Sequence, residues 1–546
     1  MNKLMCQPAR QTATGAPQHS HRALLSLATL VAVWAIFIFT VQEYTTGSNY
    51  PLSAGKAVGS RVVRCLLDLL ACGTVVLLLR GWILNVVLLG SSMALSVLVV
   101  YYEYFGRTLS FTTITHHFNE GWAVGAYAVG LLRWPSFSLI VSAAIALLIL
   151  ARWKNRHPIP RRRRFRLCAL CAAGYALLAV VSTQFFDANR KLRTFATVDR
   201  LAMTNGYLLT WYGEWSYLDG EALLARALEA AKIKRDRLTP VEAPVPLDDK
   251  VVMIQVESLE FDVLGFEFEG RPVMPFLRDL SRRCMLYRIT PVHKSGSCDA
   301  DFSMLMNLNS GSDVTPYAVP DFDFSRSIAV HARKAGYRST FFHGNDRSFF
   351  NRGAAIDRMG FDLALFREDL ESQYSLTSRH WGISDRDVLA VSSRLLNADA
   401  GRVLHFIITL TSHGPFNFLA PQERELFPTP TNMREHYLNS MRFVDTQLKT
   451  YFGTLPEDTL VILYGDHASH VDYGQGSFTK GREYVPFLVC RVGGDLARLQ
   501  RTRGRDIAMS GELTTLDAAG YIWSLFRVSG SEDSARAVEP VKSTPP

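Results

Sequence analysis

The sequence predicts an α-helical membrane unit followed by an α/β unit whose mostly parallel sheet is covered by helices on both faces. Three observations carry this. Residues 22 to about 185 are dominated by Leu, Val and Ala and hold five runs of bilayer length. After residue 186 short apolar runs alternate with helical patterns, the signature of strands buried under helices. Residues that can carry chemistry follow four of those runs in succession. At 546 residues the chain has room for more than one domain.

The five runs are Ala23–Glu43, Val62–Leu79, Ile83–Tyr102, Phe137–Trp153 and Leu167–Phe185. Much of the net charge of +9 comes from "RHPIPRRRRFR" at 156–166. A basic run between two apolar segments is a topology signal rather than a nucleic-acid patch, so no nucleic-acid partner is expected. With Arg161 to Arg164 cytoplasmic, five spans put the N-terminus inside and everything after Phe185 outside. No small-residue cleavage site follows the first run, which argues for an anchor rather than a signal peptide. The stretch "FTTITHHFNEGWAVGAY" at 111–127 is amphipathic and suits the outer membrane interface.

Residues 187–249 read as a connector: the amphipathic helix "EALLARALEAAKIKR" at 221–235, then the proline-stiffened "LTPVEAPVPLDD". The domains expected are therefore 1–186 in the membrane, the connector, an α/β domain over 250–530 and a frayed tail over 531–546. Strands are expected at Val251–Val256, Ser339–Phe342, Leu404–Leu410, Leu460–Tyr464 and Val485–Cys490. Helices are expected at Met274–Arg283, Ser327–Ala335, Asp385–Leu396 and Glu435–Phe452. Five of the eight cysteines lie in the membrane third, so the outer part is no disulfide scaffold. Cys168-x-x-Cys171 sits in an apolar helix and reads as packing. A Cys284–Cys298 bridge is left open for an oxidising compartment.

Glu257 follows the first strand, His343 and Arg352 the second, His413 the third, and Asp466 with His467 the fourth. In open α/β sheets ligands bind beyond the carboxyl ends of the strands, so these side chains converge on one edge. Taken singly each has a plainer reading, as a helix-capping acid, a loop histidine or a surface ion-pair partner. Together, carboxylates and imidazole suit Mn²⁺ or Zn²⁺ better than Ca²⁺, which prefers oxygen cages. "SGSCDADF" places Ser297 just before a helix, where a hydroxyl beside a cation becomes a nucleophile and free N–H groups face an anion. Arg352 can clamp phosphoryl oxygens, and His343 and His413 can bond them or the leaving group. Positioning and charge neutralisation are what phosphoryl transfer needs.

The set "VES", "SGSCDADF", "FFHGNDRSFFNR", "MGFD", "TSHGPF" and "YGDH", in that order after the apolar third, resembles the lipoteichoic acid synthase family. That family belongs to the alkaline phosphatase and sulfatase superfamily and includes phosphoglycerol transferases. The resemblance implies a sulfatase-like α/β domain and a metal, usually Mn²⁺ with Mg²⁺ or Zn²⁺ as alternatives, held by Glu257, Ser297, Asp466 and His467. It implies Ser297 as nucleophile, where relatives carry threonine, and a head-group site of His343, Asn345, Phe350, Arg352 and His413. Asn345 stands where aspartate is common and Phe350 where tryptophan is common, which touches the identity of the transferred group. The reaction implied moves glycerol phosphate from phosphatidylglycerol, through a phosphoglyceryl-serine, to a glycan or polyglycerolphosphate acceptor. The setting implied is a bacterial inner membrane with the catalytic domain in the periplasm. The alternatives are a phosphoethanolamine transferase using phosphatidylethanolamine and a non-catalytic lipid- or glycan-binding module. A sulfatase proper is excluded by the missing C/S-x-P-x-R context.

Overall fold

The computed structural model describes residues 16–46, 54–105, 108–118, 134–185, 198–217, 220–232, 247–292, 296–310, 314–476, 482–497 and 509–526. Most of the proline-stiffened linker, the end of the 111–127 stretch and the 531–546 tail lie outside them. The chain divides into two compact units, Met1–Ala222 and Leu223–Pro546.

In the first unit each apolar run becomes a helix: Ala16–Thr46, Ala54–Leu78, Gly81–Phe105, Trp134–Arg156 and Arg161–Phe185. Four of these, not five, contain a stretch long and apolar enough to cross a membrane. The exception is Ala54–Leu78, whose apolar half carries Arg61, Arg64 and Asp68. A further helix, Val198–Tyr217, is kinked at Gly206, whose φ of +75° is one that side-chain-bearing residues rarely adopt.

The second unit is built on one eight-stranded sheet. Its strands are β1 (Lys250–Val256), β4 (Met285–Thr290), β5 (Arg338–His343), β6 (Leu363–Leu365), β7 (Val403–Ile408), β8 (Leu460–Gly465), β9 (Val485–Arg491) and β10 (Leu513–Thr514). A separate ribbon pairs β2 (Glu267–Phe268) with β3 (Arg271–Pro272). The order is β10-β4-β9-β8-β1-β7-β5-β6. All five expected strands are present within a residue or two, and the sheet is mixed: β9 runs against both β8 and β4 while the other pairings are parallel.

The central strands read as unbroken apolar runs because both faces are covered. Alternate side chains of β1 go to opposite cores. Val251 and Met253 join Phe302, Ile356 and Ile522 on one face, and Val252, Ile254 and Val256 join Leu389, Tyr437 and Leu448 on the other. The amphipathic connector forms the helix Gly220–Ala231, with Leu223 and Ala227 in the first of these cores.

The cysteine bridge left open by the sequence is corrected. Cys284 is bonded to Cys490, and Cys298 is a free buried thiol. The antiparallel register Met285↔Val489 brings Cys284 and Cys490 side by side at the end of the ladder. Cys298 sits in the core on the opposite face of the sheet, where Cys284 cannot reach it.

Candidate active site

Every strand that delivers a candidate side chain ends at the same edge. Glu257 leaves β1 into a turn at Ser258, whose φ of +56° swings the chain back. Its backbone is fixed twice: the N–H donates to Thr409 Oγ1 at 2.9 Å, and its carbonyl accepts from Ser412 Oγ at 2.7 Å. β8 ends at Gly465, where a Cβ would meet Leu259 O at 2.1 Å, so only glycine lets Asp466 and His467 come so near β1. Asp466 Oδ1 accepts from Ser258 N at 2.8 Å and His467 N at 2.7 Å.

Glu257, Asp466 and His467 are buried, and each offers one ligand atom within 4.8 Å of the others. His467 Nε2 lies 3.3 Å from Glu257 Oε1 and 3.5 Å from Asp466 Oδ2, and its Nδ1 bonds Ala468 O at 2.8 Å. That second bond fixes which nitrogen faces the carboxylates. Asp466 Oδ2 is buried and makes no hydrogen bond. A buried anionic oxygen without a donor, beside a second carboxylate and an imidazole, fits a divalent cation. Burial and then Glu257 push the Asp466 carboxyl well above its usual range. Burial pushes the Glu257 carboxyl up too, but His413 and His467 outweigh it and hold that group down. Burial lowers His467, and Asp466 and Glu257 overcome it, raising the imidazole to about 10. Glu257 is thus held ionised while Asp466 and His467 keep their protons, which a cation bound there would displace.

Ser297 sits at the N-cap of helix Cys298–Met306 yet its side chain caps nothing. Its Oγ donates to Glu257 Oε2 at 3.0 Å, across 40 residues of sequence. The plain reading of "SGSCDADF" as a serine cap therefore fails on geometry. Gly296 before it has φ +141°, and a Cβ there would strike Phe350 Cζ at 2.7 Å. Behind Ser297, Gln255 Nε2 donates to its carbonyl at 3.3 Å, and Tyr464 Oη holds Gln255 Oε1 at 2.8 Å.

His343, the last residue of β5, has Nδ1 at 3.4 Å from Ile408 O and Nε2 at 3.1 Å from Arg352 Nη1. Burial first, and Arg352 second, hold this imidazole well below its usual value, so it is neutral and accepts from the guanidinium. Arg352 Nε donates to Asp301 Oδ2 at 2.8 Å inside the protein, while its buried Nη2 makes no hydrogen bond. One guanidinium nitrogen thus remains for an anion. His413 bonds Gly414 O through Nδ1 at 2.8 Å, and its ring stands 4.3 Å from that of Trp381. Phe350 packs on Gly296 and lies under Arg352 at 5.9 Å. Asn345 turns inward, its Oδ1 accepting from Asp346 N at 2.7 Å.

The structure thus brings Glu257, Ser297, Asp466 and His467 into one cluster and links Arg352 to His343, with His413 acting electrostatically on both Glu257 and His343. Sequence reasoning passed over four supporting residues. Gln255 was visible as the one polar residue in the run of β1, and Asp301 lay within a quoted motif. Tyr464 likewise opened the motif "YGDH", whereas Trp381 carried no local signal.

Residues 249–506 match the sulfatase family. Lipoteichoic acid synthase of Staphylococcus saprophyticus is 22% identical over 404 residues, 68% of this chain and 60% of that protein. The chain carries a sulfatase domain over 249–506 and is lipoteichoic acid synthase-like in sequence. Lipoteichoic acid synthase 2 of Bacillus subtilis is also 22% identical, over 398 residues with the same coverage, so this chain spans about 60% of the length of these relatives. Among solved structures, the integral membrane lipooligosaccharide phosphoethanolamine transferase A of Neisseria meningitidis has the same fold. It superposes with a TM-score of 0.51 at 15% identity, over 94% of this chain and 96% of that one. The resemblance read from the sequence motifs is borne out, and with it the sulfatase-like α/β domain.

Proposed function

We propose that this chain is a membrane-anchored, divalent-metal-dependent phosphotransferase that moves glycerol phosphate from phosphatidylglycerol to a surface glycan or polyglycerolphosphate acceptor. The observation that carries the reading is Ser297. It stands at a helix start without capping it, with its hydroxyl on Glu257 of the Glu257–Asp466–His467 cluster.

In this reading Glu257, Asp466, His467 and Ser297 Oγ would hold the ion, Mn²⁺ in the first instance and Mg²⁺ or Zn²⁺ otherwise. When bound, the ion supplies acidification of the hydroxyl and screening of phosphate charge. The remaining work belongs to the protein. Arg352, oriented by Asp301 and His343, directs its unused Nη2 to a phosphoryl oxygen, and Asn345 and Phe350 border the head group. Ser297 Oγ forms a bond to phosphorus as the bond from phosphorus to the diacylglycerol oxygen breaks. His413 takes the serine proton and returns it to the departing oxygen. In the second half an acceptor hydroxyl attacks the phosphoglyceryl-serine, its proton passes to His413, and the Ser297 hydroxyl is restored.

The same reading assigns 1–186 to an inner-membrane anchor, 187–249 to a connector, 250–530 to a periplasmic catalytic domain and 531–546 to a tail. Five spans are retained by counting Ala54–Leu78. Its Arg64 is buried, paired with Glu43, and donates to Met203 O at 3.0 Å, and charges inside a bundle are tolerated when paired in this way. The fold likeness to a phosphoethanolamine transferase keeps phosphatidylethanolamine as the alternative donor, and a single outer disulfide speaks for the glycerol lipid.

The test is the intact mass of the full chain in detergent with Mn²⁺ and either phospholipid. A glycerophosphate adduct from phosphatidylglycerol is expected, absent in Ser297→Ala, abolished by EDTA, and slowed about 100-fold or more in Arg352→Ala. An ethanolamine phosphate adduct would instead install the alternative donor. An adduct that persists in Ser297→Ala would sink the mechanism.

A further inference from the structure

A second group of cations lies in the other unit and plays no part in that chemistry. Where helix Ala54–Leu78 ends, the end of helix Trp134–Arg156 and the turn into Arg161–Phe185 border a recess that opens to solvent. Leu77, Arg80, Lys154, His157, Ile159 and Arg164 are among the residues lining it.

Lys154 is only 7% exposed, and its Nζ donates to Val76 O at 2.8 Å and Leu79 O at 3.0 Å, closing the carboxyl end of the first helix. An ammonium has three protons, so those carbonyls leave one unused. Arg164 is half-buried, and Arg80 at the rim donates to Ile159 O at 3.3 Å. Three cations therefore converge with only neutral carbonyls opposite them. Among the described residues no carboxylate pairs with any of the three. The sequence could hardly supply one nearby, since it holds no Asp or Glu over 69–102 or 121–186.

A topology signal accounts for the presence of basic residues here but not for this arrangement. Arg161, Arg162 and Arg163 follow the usual rule and are exposed, whereas Lys154 is withdrawn into the recess. Arg80 is exposed and Arg164 half-buried, so Lys154 is the one withdrawn cation, and a buried cation without a counter-charge is costly. The missing anion must come from outside the chain. Its surroundings identify it: Leu78, Trp82 and Ile83, beside Arg80, are 59%, 74% and 44% exposed. Cations next to an outward Trp at the end of membrane-length helices lie at head-group level, with apolar side chains continuing toward the acyl region.

We propose that Arg80, Lys154 and Arg164 form a site for the phosphate of an anionic phospholipid head group. The proposal does not rest on the transferase reading.

The experiment is native mass spectrometry of the full chain in mild detergent, titrated with dioleoyl phosphatidic acid or dioleoyl phosphatidylcholine. The comparison is wild type against the double variant Arg80→Gln/Arg164→Gln, which leaves Lys154 and its helix-closing bonds intact. Wild type is expected to retain one more phosphatidic acid than the variant, with affinity roughly thirty-fold higher, the equivalent of two cations at a membrane surface. Phosphatidylcholine counts should be equal. Lipid bound at the Ser297 site is present in both proteins and cancels. Equal phosphatidic acid counts overturn the proposal. So does stabilisation of wild type by millimolar inorganic phosphate without retained lipid, because the site would then serve a soluble phosphate. Should the double variant fail to fold, Arg164→Gln alone gives the same comparison.

Discussion

A histidine far from the chemistry offers the cleanest measurement on a single residue. His405 lies at the centre of β7, its Nδ1 2.9 Å from Ser392 Oγ and its ring 4.8 Å from that of Phe342. Burial, and then Lys250, hold its imidazole down at about 3, against 6.5 for a free histidine. Above 6.5 the group is neutral in folded and unfolded chains, and its contribution is fully present. As pH falls from 6.5 toward 3 only the unfolded chain takes the proton, so this one group removes about 1.4 kcal/mol of stability per pH unit. The buried Asp385 and Asp445 carboxyls, raised by burial to about 6, act in the opposite direction. The useful readout is therefore the wild-type curve minus that of His405→Asn, by urea unfolding between pH 7 and 4. The difference should slope downward with acid, and parallel curves would refute the argument. At this scale the sequence was most informative where residue type alone implied chemistry, as with Glu257, Ser297 and Asp466. It was silent where a role depends on distant packing, as with Tyr464 under Gln255.

At the level of elements, long buried strands were legible because unbroken apolar runs bounded by polar residues have few other uses. β6 and β10, of 3 and 2 residues, were not, since such short pieces carry no periodicity. The reversed direction of β9 was also hidden, because direction follows from the connecting path and not from composition. That strand is held to β4 by its ladder and by Cys284–Cys490, which closes a span of 206 residues. Removing a bridge across so long a loop typically costs about 2–5 kcal/mol. The double variant Cys284→Ser/Cys490→Ser should therefore unfold at clearly lower urea, with a slope at least as steep because its unfolded chain is no longer cross-linked. Unchanged midpoints would mean the ladder alone secures β9. The same pairing explains why the Cys284–Cys298 alternative could not form: one cysteine faces each side of the sheet.

Considered whole, the molecule divides into two units with separate cores, of which the second holds all nine candidate site residues. A protein beginning at Leu223 should therefore fold alone, bind Mn²⁺ by calorimetry and form the Ser297 adduct with detergent-dispersed phosphatidylglycerol. On lipid vesicles it should fall at least about ten-fold behind the full chain, because the anchor supplies effective concentration at the donor surface. Equal rates on vesicles would show that the helical unit contributes no such advantage. The number of spans was the expectation that composition settled least well, since a helix carrying paired charges looks alike whether it crosses a bilayer or not. The turn after β1 has one further consequence. Ser258 and Asp466, joined through backbone and carboxylate, stand 208 residues apart in the chain, near opposite ends of the outer unit. Until β8 docks beside β1 the cluster does not exist, so on the proposed reading a partly folded second unit has neither a place for the cation nor a serine aimed at it. Assembly order would then act as a safety catch, with the proposed lipid chemistry switched on only once the second unit has folded.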